Sequence, residues 1–138
     1  MTSAEISARR GHWLRAIGYG LLAEVSTIVT IIAIVMIYRY VIARGLTDVA
    51  YTEFGEQVGA IVGIAGGALY TFIFARFLMR YVTAGFVAHG IVVALAAIAL
   101  SVGGSIAGHH GVPAAYLWAS ALKLVAGVLA GILASRSG

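Results

Sequence analysis

The sequence predicts an all-α integral membrane protein: a four-transmembrane-helix, up-down bundle with both termini cytoplasmic. Three observations predict it. Of the 138 residues, 62% are hydrophobic and 10% charged, against about 25% charged in soluble chains, and mean hydropathy is +1.01. Four apolar stretches reach the roughly 20 residues needed to cross a hydrocarbon core. The arginines stand at the ends of those stretches, where they set topology.

Composition also excludes function classes. The chain has no cysteine, which removes disulfides, thiolate metal sites and thiol catalysis. Its net charge of +4 comes from span-end arginines, so nucleic acid is not an expected partner. Eighteen glycines and one proline suit long helices packed closely in lipid. The length leaves room for one domain.

Residues 1–15, with Trp13, Arg9, Arg10 and Arg15, read as a basic amphipathic lead-in lying on the cytoplasmic leaflet. Residues 16–138 form the single transmembrane domain. Its first span covers residues 16–37, too long for a signal-peptide core and followed by no A-x-A site, so it reads as an uncleaved span. A long connection, Tyr38–Gln57, follows. Its mildly acidic part, Leu46–Gln57, reads as a solvated loop, with an interfacial helix as the alternative. The second span covers residues 58–78, the third 84–104 and the fourth 112–134, with Pro113 at the entry to the fourth, where a first helical turn tolerates it. The connections Met79–Thr83 and Ser105–Gly111 are short, which favours antiparallel neighbours. Six arginines (Arg9, Arg10, Arg15, Arg76, Arg80, Arg136) fall on one side and two (Arg39, Arg44) on the other, which puts both termini in the cytoplasm. Tyr38, Tyr40, Tyr70, Tyr81, Tyr116 and Trp118 read as an aromatic belt of anchors.

Spacing predicts the packing faces. Gly55, Gly59, Gly63 and Gly67 recur every four residues, placing them on one helix face as a GxxxG ridge. The ridge is expected to pack within the bundle, with a contact between protomers as the alternative. In the fourth span Ala115, Ala119, Lys123, Gly127, Gly131 and Ser135 share the same spacing. Lys123 therefore belongs to the small-residue face. In the first span Ala16, Gly20, Ala23, Glu24 and Thr27 make a comparable stripe.

The polar residues inside the spans carry whatever chemistry there is. Hydrocarbon cannot solvate Lys123 or Glu24, so each needs a counter-charge, a cavity or a ligand. At about 1.5 Å per residue, both reach a similar depth in the cytoplasmic half, with His89 nearer the cytoplasmic edge. This predicts a cluster of Glu24, His89 and Lys123 with Arg76 near its mouth. Three readings apply: a self-neutralising pair that fixes helix register, a proton- or ion-linked site with His89 as relay, or a pocket for a lipid headgroup or pigment. No cofactor is expected; haem or chlorin ligation at His89, within Ala88-His89-Gly90, is the minor alternative. His109 and His110 read as a solvated turn, with no metal expected. Ser26, Thr27 and Thr30 should bond their own helix carbonyls. No nucleophile elbow, P-loop, zincin helix or paired-carboxylate motif is present, so an enzyme is not expected.

The string Leu21-Leu22-Ala23-Glu24-Val25 resembles the first helix of small multidrug-resistance transporters. In those four-span proteins a membrane-embedded glutamate exchanges drug cations for protons. The resemblance is confined to these residues. The later helices depart from that family's pattern and Lys123 opposes a cationic substrate, so the family is not adopted. The expected function is that of a non-catalytic accessory or self-assembling subunit, whose partners are the lipid bilayer and other membrane chains or itself, in a bacterial inner membrane. The alternative is a small proton-linked transporter using the Glu/Lys/His cluster.

Overall fold

Thr2 caps the first helix. Its hydroxyl accepts from the Glu5 backbone N–H while the Glu5 carboxylate accepts from the Thr2 N–H, a reciprocal capping box. The structure, a computed structural model, describes residues 1–137. Helix α1 then runs unbroken over Ser3–Ile37 and continues into a π-helical segment, Tyr38–Ile42. The residues read as an amphipathic lead-in, from Ser3 onward, form the first turns of this helix. No proline interrupts it, and one glycine such as Gly11 costs only about 1 kcal/mol of helix propensity.

Residues 46–57 are not a solvated loop. Thr47 accepts from the Ala50 N–H and Asp48 follows in the first turn, a start signal that suits both the free N–H groups and the helix dipole. Helix α2 (Asp48–Ile61) results, and a π-helical segment, Val62–Gly66, joins it to α3 (Gly67–Leu78). Tyr51 secures the entry: its hydroxyl donates to the Ala43 carbonyl and accepts from the Leu46 N–H. Helix α4 is Phe86–Ala107, entered through Gly85 at φ +70°, a conformation that suits glycine. Helix α5 is Ala114–Arg136, with Pro113 as its N-cap. In the intervening turn His109 and Gly111 have positive φ, and Ser105 donates to the Gly111 carbonyl.

Four helical units, Ser3–Ile42, Asp48–Leu78, Phe86–Ala107 and Ala114–Arg136, are long and apolar enough to cross a membrane. They pack as a ring in which α1 touches α3 and α4, and α5 touches the same two. Contacts give the directions. Thr30 meets Tyr70 and Tyr19 meets Phe74, so α1 and α3 are antiparallel. Gly90 meets Gly127 and Val87 meets Gly131, so α4 and α5 are antiparallel. Trp13 meets His89 and Gly20 meets Val93, so α1 and α4 run parallel. The short connection therefore joins diagonal helices, α3 and α4, rather than close neighbours. Small-residue contacts decide this: a Cβ on Gly20 would strike the Val93 carbonyl and Ala96, and one on Gly90 the Gly127 carbonyl. Such backbone approach draws α4 between α1 and α5.

The interior holds small and polar side chains. Lys123, Leu78, Val93, Thr27 and Thr71 are the largest fully buried ones, while Leu21, Ile28, Leu69, Leu95, Leu122 and Leu129 face outward. Each of these half-exposed leucines forgoes about 1 kcal/mol if its solvent is water.

Candidate functional site

Glu24 and Lys123 meet at the centre of the ring. The Lys123 Nζ donates to the Glu24 Oε2 at 2.5 Å, with side-chain exposures of 2% and 7%. Their helices, α1 and α5, stand diagonally opposite, so the pair crosses the bundle axis. Gly67 supplies the space. A Cβ there would come 2.7 Å from the Lys123 Cε and 3.6 Å from Nζ, so the lysine stem runs over bare α3 backbone. Helix α3 begins at Gly67, where the preceding π segment ends. Two surface grooves, of about 450 and 420 Å³, are lined by other residues. The pair is thus closed, with each charge desolvated and satisfied chiefly by the other. Such a pair contributes little net stability, but removing one partner strands a buried charge.

The remaining polar residues lie elsewhere. His89 is in the first turn of α4; its Nδ1 is 2.8 Å from the Gly85 carbonyl, an acceptor, so Nδ1 carries the proton. Its Nε2 is buried with no hydrogen-bond partner among the described residues. The ring stacks on Trp13, with centroids 4.0 Å apart and planes 8° from parallel, and His12 approaches edge-on at 6.5 Å. Trp13 and Glu24 are eleven residues apart on α1, roughly 16 Å along the axis. The structure therefore does not bring His89 to the pair. The start of α4 at Phe86 leaves His89 at the bundle's end, and Trp13 is a better neighbour for its ring. Arg76, in the last turn of α3, lines the larger groove and does not stand at the mouth of the pair.

The glycine series divides. A Cβ on Gly59 or Gly63 would meet nothing within 4 Å among the described residues, and one on Gly55 only the Val35 side chain at 3.8 Å. Among the described residues this part of the ridge makes no close backbone contact with another helix, contrary to expectation, because four-residue spacing defines a face without saying which way it looks. Gly67 receives Lys123 instead of a helix. On α5, Ala119, Gly127 and Gly131 are all buried, and Gly127 and Gly131 lie against the α4 backbone. Gly90 is their counterpart on α4, and with the buried Ala94 and Ala97 it carries a small-residue signal in the sequence of the same kind.

Ser26, Thr27 and Thr30 donate to the carbonyls four residues back, as expected. Thr30 also bonds Tyr70 at 2.8 Å, so Tyr70 ties α1 to α3 rather than anchoring a span end. Thr71 is wholly buried and its hydroxyl has no partner among the described residues. Among the described residues, no group of three or more His, Cys, Asp or Glu side chains could hold a metal ion. Comparison with protein-family models, with curated proteins and with solved structures returns no match.

Proposed function

We propose that the chain is a non-catalytic integral membrane protein, with both termini cytoplasmic, that works as an accessory or self-assembling subunit. The closed Glu24–Lys123 pair carries this reading. It is buried, internally neutralised and reached by neither groove, which suits a device that fixes how four helices meet more than one that loads and releases an ion. The outward aliphatics fit a hydrocarbon surround, since lipid tails leave no gain in hiding them. The unfilled face of Gly55, Gly59 and Gly63 supplies a surface for another helix, from a partner protein or a second copy.

Native mass spectrometry on protein extracted gently from its own membranes tests the reading. A homo-oligomer or a stoichiometric complex that Gly59→Leu dissociates is the expected result. Monomer in both variants would remove the subunit reading. One observation favours the alternative carrier: the π segment beside the lysine slot, a feature frequent at functional sites. In that case Glu24→Gln would assemble normally and abolish proton flux in vesicles.

A further inference from the structure

Arg76, in the last turn of α3, and Arg80, in the turn just past its end, line the same groove of about 450 Å³. Two guanidinium groups lining one groove repel each other, so an anion between them is favoured. Among the described residues no carboxylate side chain is placed to supply one. Of the chain's five acidic residues, Glu24 is taken by Lys123 and Glu5 by the Thr2 cap. Asp48, Glu53 and Glu56 all lie on α2, at the opposite end of the long rod that α3 completes. Arg80 rests over the Phe77 ring, 4.9 Å from its centroid, which leaves its N–H fork free. Besides the arginines the groove wall is largely apolar, with Phe72, Phe77 and Phe86, and Ser137, just past the end of α5, also lines it. An amphiphilic anion matches this surface: phosphate at the guanidinium groups, hydrocarbon along the aromatic wall.

We infer that this groove, between the ends of α3 and α5 and the start of α4, binds the phosphate of an anionic glycerophospholipid. Under the proposed membrane reading, on which the inference rests, the groove faces the cytoplasmic leaflet. Arg76 holds the phosphate and Arg80 closes over it, while one acyl chain follows Phe72 and Phe86.

The test is native mass spectrometry of the full chain with added phosphatidylglycerol or phosphatidylcholine of identical acyl chains. The wild type is expected to retain phosphatidylglycerol preferentially. Each arginine near the surface contributes about five-fold in affinity, so Arg76→Gln with Arg80→Gln should lose roughly 25-fold. Arg9→Gln with Arg10→Gln, outside the groove, should lose little. Equal retention of the two lipids, an unaffected double variant or an equal loss in the control pair would each overturn the inference. Displacement by inorganic phosphate at matched concentration would also overturn it, by pointing to a phosphate site. Arg80→Gln alone, at an exposed position, serves if the double variant misfolds. Carbonate extraction separates the two readings. A chain that stays with the membrane but shows no lipid preference overturns the groove alone; a chain released by carbonate overturns the membrane reading as well.

Discussion

Lys123 reaches its carboxylate only because Gly67 has no side chain, and the two residues should therefore be energetically coupled. Gly67→Ala places a methyl 2.7 Å from the lysine Cε, an overpacking that costs about 1–3 kcal/mol. In a Lys123→Ala background the clash disappears, and the same change should cost nothing measurable. A thermal or denaturant unfolding series in detergent reads this, and equal penalties in both backgrounds would refute the slot. The charge pair makes a second prediction. Lys123→Met strands a buried carboxylate and should destabilise by about 3–5 kcal/mol, with Glu24→Gln recovering a substantial part in the double variant. Strictly additive losses would mean that the two side chains do not depend on each other.

Helix α4 is the packing hub, since α1 crosses it at Gly20 and α5 at Gly127 and Gly131. A methyl on Gly90 would meet the Gly127 carbonyl, so Gly90→Ala should part α4 from α5 and lower stability. Gly59→Ala, with open space around it, should be neutral or gain up to about 1 kcal/mol of helix propensity. Opposite signs for two glycine-to-alanine changes in one protein are the expected outcome, and matching signs would contradict the assigned faces. The four apolar helices, the burial of Lys123 and Glu24 and their meeting were legible in the sequence, because hydropathy, four-residue spacing and rise per residue are local properties. The outward turn of Gly55–Gly63 was not legible, since spacing defines a face only relative to its own helix. Nor was the diagonal placement of α3 and α4, which backbone contacts across three helices decide. Helix α2 was legible only as the alternative to a solvated loop, because its acids favoured the loop although Thr47 and Asp48 signalled a helix start. His89 was misplaced because depth along separate helices does not say which side chains meet: α1 begins at Ser3, so Trp13, read as lying on the leaflet, stands beside the start of α4 and takes the ring.

The molecule is arranged with a buried ion pair at the axis, aliphatics outside and six of eight arginines at the end where α1 begins and α5 finishes. At the other end Arg39 is held by Asp48 at 3.2 Å and lies over the Tyr51 ring. Under the proposed membrane reading, the positive-inside rule puts the arginine-rich end in the cytoplasm. The cysteine-free sequence allows a direct test, because a single introduced thiol is the only reactive one. Ser3→Cys and Ser137→Cys mark the termini, and His110→Cys marks the exposed turn between α4 and α5. A membrane-impermeant maleimide added to intact cells should label His110→Cys and spare both terminal thiols until the membrane is permeabilised. Labelling of a terminal thiol in intact cells would invert the orientation and move the Arg76–Arg80 groove to the outer leaflet. Labelling of one terminus but not the other would require an odd number of crossings, which the antiparallel α1–α3 and α4–α5 contacts do not allow.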